Sequence, residues 1–112
     1  MLNALSRFTS HGKEHGAASN TIECFEFYIE TGRRLTLVRE WLGYNPKEFA
    51  KVINVSARDL KDWENGNTII PPEHATNVAD VCSITTDYLY RGLELGLPRD
   101  FSAFIVEKCV IF

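Results

Sequence analysis

Five residues constrain the fold of this chain more tightly than anything else in it: Ala50, Asn54, Val55, Leu60 and Trp63. Two short helices joined by a tight turn pack at a steep angle, and that geometry restricts a few positions. The first helix needs a small residue where the second crosses it, here Ala50. The turn favours a residue that tolerates positive φ. Asn54 is the best choice after glycine. Apolar residues must follow in the turn and on the inner face of the second helix, and Val55, Leu60 and Trp63 supply them.

The punctuation around this pair supports the same reading. "NPKE" (Asn45 to Glu48) puts Asn at N-cap, Pro at N1 and Glu at N3, a capping box with a pre-set φ. The helix it starts is expected to bury Phe49, Ala50, Val52 and Ile53. Ser56 caps the second helix, Asp59 reinforces it at N3, and the helix stops near Gly66. Upstream, Thr31 is expected to cap a helix with the stripe Leu35, Val38, Trp41 and Leu42, ending at Gly43. Downstream, "NTIIPPE" is a loop because Pro71 and Pro72 cannot lie in a helix interior. A fourth helix follows from about Pro72 to Cys82 with Ala75, Val78, Ala79 and Cys82 inward. A fifth, capped by Thr85, carries Tyr88 and Leu89 to Gly92.

The two ends read differently. Residues 1–20 are rich in Gly, Ser, His and Asn and are expected to form a loose arm. "TIECFEFYIE" (21–30) is a strand or a lead-in to a helix, since periodicity does not decide so short a run. "FSAFIVEKCVIF" (101–112) is again aromatic and β-branched. It either covers the core or pairs with another chain, strand addition alongside residues 21–30 being the sharper alternative. The division expected is therefore an arm over 1–20, a lead-in over 21–31, a helical domain over 32–95 and a C-terminal extension over 96–112 that is a candidate dimerisation segment.

At 112 residues the chain is one domain's worth, with a core that needs no staples. Cys24, Cys82 and Cys109 are odd in number and widely separated, as expected of reduced thiols in a cytoplasmic protein. No apolar run spans a bilayer, and the first residues lack the apolar stretch of a secretory signal. His11, His15 and Cys24 are the one conceivable ligand set for a metal, but the histidines sit in a Gly-rich tail, so no metal or cofactor is expected. No phosphate loop or nucleophile motif is present, which argues against an enzyme.

The net charge of −3 conceals a split. Between Gly32 and Asn67 seven basic residues oppose five acids, giving +2, so the remainder carries −5. Segregation of this kind favours one anion-facing surface.

Taken together, "GRRLTLVREWLGYNPKEFAKVINVSARDLKDWENG" and the later "VADVCSITTDYLYRG" resemble the Cro/cI-like helix-turn-helix domains of phage repressors and bacterial regulators. The resemblance runs from Gly32 to Gly92. It implies a mainly α fold, a five-helix lambda-repressor-like domain with N- and C-terminal extensions that could add a small β element. It also implies a sequence-specific transcription regulator that places the helix starting at Ser56 in the major groove of double-stranded operator DNA, as a homodimer. The alternative is the same scaffold used as a protein-binding module (antirepressor, antitoxin or inhibitor).

Residue by residue, the resemblance assigns Ser56, Ala57, Arg58, Lys61 and Asp62 to contacts with bases and phosphates. Asn45 and Lys47 fall at the N-terminus of the preceding helix, a phosphate site. Asn65, Asn67 and Thr68 match a loop that touches the backbone, and Arg39 and Glu64 match an ion pair between the first and third helices. Departures are Pro46 where a Gln is common, Asn54 for Gly, and a loop "NTII" without basic residues. Arg58 fits the guanine edge by its fork. Asp62, four residues later, would hold that guanidinium or accept from a cytosine amino group.

Overall fold

The computed structural model describes the backbone of residues 16–110 and the side chains of 25–108. Six helices make up the described chain: α1 (Gly16–Leu42), α2 (Pro46–Val52), α3 (Ala57–Glu64), α4 (Pro72–Cys82), α5 (Thr86–Arg91) and α6 (Arg99–Val110). There is no strand among the described residues, so the expected β element from the two extensions is corrected to helix at both ends.

The largest departure from expectation is α1. Of the two alternatives for residues 21–30 the strand is excluded. These residues continue the first helix without a break, and α1 already begins at Gly16, inside the stretch expected to be a loose arm. The remaining arm residues, 1–15, lie outside the described part. Thr31 is therefore no N-cap. It is buried in the middle of α1, and its Oγ1 has no hydrogen-bond partner among the described residues.

The packing of α1 on α3 explains why a glycine stands next to Thr31, at position 32. A mid-helix glycine costs about 1 kcal/mol relative to alanine, yet the α1–α3 crossing leaves no room for a side chain. A Cβ at Gly32 would collide with the carbonyl oxygen of Trp63 and stand 2.7 Å from that of Glu64. Gly32 is a point of backbone-to-backbone contact between helices. A second such point lies below it, where Gly66 (φ +79°) packs on Ile29.

α2 and α3 are short, and both are capped by side chains. Glu48 N–H donates to Asn45 Oδ1 (2.8 Å), and Asn45 N–H donates to Glu48 Oε1 (3.0 Å). Asn54 takes φ +60° in the turn, and Val55 N–H closes it on Ala50 O at 2.9 Å. Ser56 Oγ then accepts from Asp59 N–H at 3.0 Å and opens α3. Behind the turn, Asn77 of α4 donates its amide to Ile53 O at 3.0 Å. This bond ties the end of α2 to the body of the domain. α4 ends at Ser83, whose φ of +61° is left-handed without being glycine.

The core is one cluster running from Leu35 and Val38 through Phe49, Ile53, Leu60, Val78 and Leu89 to Phe101 and Ile105. Val52 and Leu42, both expected inside, are each 36% exposed, because α2 turns its Phe49–Ala50–Ile53 side inward and α1 ends at Leu42.

Phe101 is fully buried, with its ring 4.7 Å from that of Trp41 and edge-on to Tyr88 at 5.2 Å. Its burial gives α6 an anchor of about 2–3 kcal/mol. The spacing of Phe101, Phe104, Ile105 and Lys108 is helical, and Lys108 reaches Glu40 of α1 at 3.5 Å. Strand addition by this segment is thereby excluded: its backbone is spent on a helix and its anchor on the chain's own core.

Candidate nucleic-acid interface

The helical register of α3 turns Leu60 and Trp63 into the core and leaves the opposite strip outward. Ser56, Ala57, Arg58 and Lys61 are exposed, and Asp62 is half-buried. Asn45 and Lys47 are exposed at the start of α2, while Asn65, Asn67 and Thr68 are exposed just beyond α3. The main-chain N–H groups of Asn67 and Thr68 turn back onto Asp62 O at 2.9 and 3.4 Å, which shapes that loop. The arrangement is a convex strip rather than a pocket. It suits a long, grooved surface better than a small molecule.

Arg39 and Glu64 hold the strip at its angle. Arg39 Nε and Nη2 donate to the two carboxylate oxygens of Glu64 at 2.9 and 3.2 Å, and Nη1 donates to Tyr44 O at 3.0 Å. Their side chains are only 13% and 11% exposed. A bidentate pair so sheltered fixes orientation more than it adds stability.

The charge split takes a different form once partners are assigned. Arg39 is neutralised by Glu64. Arg34 donates to Leu89 O at 3.0 Å and lies over Gly92, capping α5 instead of facing outward. Arg33, exposed, lies 3.9 Å from Glu30. The outward cations of the α2–α3 pair are Lys47, Lys51, Arg58 and Lys61. Three exposed or half-buried acids (Glu48, Asp59, Asp62) share that side, so its field is weak.

The acids are not equivalent. Glu48 is bound into the capping box, and Asp59 stands in the first turn of α3, where the helix dipole favours a negative charge. Asp62 has neither role: its carboxylate forms no ion pair with Arg58, or with any other cation among the described residues.

α6 packs against α1, and neither described end of the chain covers the outward strip of α3. Sequence reasoning missed the packing of Gly32 and Gly66 that seats α3 on α1, and the bond from Asn77 that ties down the end of α2. Only Gly32 left a trace: the apolar stripe of α1 continues at helical spacing through Tyr28 and Thr31, so the glycine interrupts nothing.

No group of His, Cys, Asp and Glu among the described residues could hold a metal ion. His11, His15 and the side chain of Cys24 lie outside the described part. No described helix is long and apolar enough to cross a membrane.

A family model described as Helix-turn-helix matches residues 35–89, which run from within α1 to the middle of α5. No curated protein and no solved structure matches the chain.

Proposed function

Residues 35–89 belong to the Cro/cI-like helix-turn-helix family of DNA-binding regulators, and on that premise we propose that the chain is a sequence-specific, repressor-like transcription regulator whose α3 enters the major groove. The observation that carries this reading is the uncovered outer strip of α3, capped at Ser56 and held at a set angle by the Arg39–Glu64 pair. Arg58 reads a guanine edge, Lys61 and Lys47 meet phosphate, and Asn45, Asn67 and Thr68 offer neutral donors along the backbone. A field this weak gives one copy low affinity. A homodimer on two half-sites about one helical turn apart compensates, and the protein works in the cytoplasm.

The test is selection of bound fragments from a random duplex pool, run beside Arg58→Ala. The intact protein enriches a two-fold-related site containing guanine, and the variant loses that guanine. If no sequence is enriched, the reading falls.

The second reading, a protein-binding module on the same scaffold, is favoured by two observations. The four outward cations face three acids, and Phe25 and Phe27 on α1 are 60% and 41% exposed. Such a module would bind its partner with little dependence on ionic strength.

A further inference from the structure

We propose that Asp62 sets the operator class of this protein, selecting a cytosine beside the guanine read by Arg58 and penalising DNA that lacks it. The inference rests on the DNA-binding reading above and deepens it. Its starting point is that Asp62 has no structural reason to be acidic. It lies in the last turn of α3, where the helix dipole disfavours negative charge. Glu64, its acidic neighbour there, is neutralised by Arg39. Asp62 is not a cap, and among the described residues no cation lies within ion-pairing distance of its carboxylate. Arg58 is one helical turn away on the same strip, a spacing that commonly pairs such groups, and the two remain apart.

An ionised carboxylate only accepts hydrogen bonds. In the major groove guanine offers O6 and N7, thymine O4 and a methyl group, and all three polar atoms are acceptors that repel it. Donors come from the amino groups of cytosine and adenine alone. Phosphate repels it as well. Side chains four residues apart on a helix stand about 5–6 Å from one another, and stacked bases about 3.4 Å. Arg58 and Asp62 therefore address the same or adjoining base pairs. With Arg58 on guanine, the donor that a carboxylate finds best is the N4 amino group of cytosine. The same charge weakens sequence-independent binding, so contrast between right and wrong DNA rises while overall affinity falls.

The experiment compares the intact chain with Asp62→Asn in parallel selections from one random duplex pool, followed by titration of the enriched and a scrambled duplex. The intact chain enriches guanine next to cytosine, and replacing that cytosine weakens binding roughly tenfold or more. Asp62→Asn keeps the guanine, moves the neighbouring preference toward adenine, whose edge suits a carboxamide, and binds the scrambled duplex several-fold more tightly. Its melting temperature is unchanged or slightly higher. If both proteins enrich the same site with the same contrast, the role assigned to Asp62 is wrong while DNA reading stands. If neither enriches a site, both proposals fall together.

Discussion

Gly32 shows how a single residue can be misjudged when only its propensity is considered. In most helices Gly→Ala gains about 1 kcal/mol. Here the new methyl group would meet two backbone carbonyls of α3, which cannot rotate away as a side chain can. Gly32→Ala is therefore expected to destabilise the fold by about 1–3 kcal/mol, the range of overpacked cores, as read by urea denaturation. A gain in stability would mean the crossing is looser than it stands. Cys82 gives a second expectation at this scale. Burial pushes its thiol up from 9.0 to about 11. Between those values the unfolded chain loses the thiol proton while the folded chain keeps it, so stability is complete below pH 9 and declines as pH rises toward 11. Comparing the pH dependence of unfolding with that of Cys82→Ala isolates this contribution: the variant declines less steeply. Equal slopes would show that the thiol ionises alike in both states.

Among the elements, those with side-chain caps were legible in the sequence and those defined by tertiary contact were not. Asn45, Ser56 and Thr85 each accept from a backbone N–H three residues on, a bond written wholly in local spacing. The turn at Asn54 is equally local. By contrast, the run of β-branched and aromatic residues in 101–112 left strand and helix open, with strand addition the sharper alternative. What decides for helix is the slot between Trp41 and Tyr88 that Phe101 fills, and no local signal reports a slot. The start of α1 was misplaced for the same reason: a threonine ahead of an apolar stripe looks like a helix start until α3 is placed against it.

The proposed operator contacts are a different matter, since the spacing that defines α3 says where side chains point and not what they touch. Removing α6 by ending the chain after Pro98 is expected to cost about 3–5 kcal/mol, as for loss of a buried Phe, and to lower the melting temperature sharply. An unchanged melting temperature would show that α6 is dispensable to the core. Between α1 and α3, Arg39→Met alone leaves Glu64 as a sheltered, unpaired charge and is expected to cost about 2–4 kcal/mol, most of it recovered by adding Glu64→Leu. A double variant no more stable than the single one would contradict that account.

At the scale of the whole molecule, the surviving outward cations limit how strongly one copy can hold DNA. With Lys47, Lys51, Arg58 and Lys61 at phosphates or bases, the slope of log affinity against log salt is expected near −3 to −4 for one chain and about twice that for a pair. Titration by fluorescence anisotropy at several salt concentrations gives the number, and a flat response would favour the protein-binding alternative. The described body measures 45 by 29 by 29 Å, and α1, 27 residues long, is its longest helix. That helix meets the far end of α3 at three levels: Ile29 on Gly66, Gly32 on the carbonyls of Trp63 and Glu64, and Arg39 on the Glu64 carboxylate. A rod clamped at three heights has no hinge in which to lose a twist. Whatever turns α1 upstream of Ile29 carries the outer strip of α3 with it, as a key shaft moves its bit.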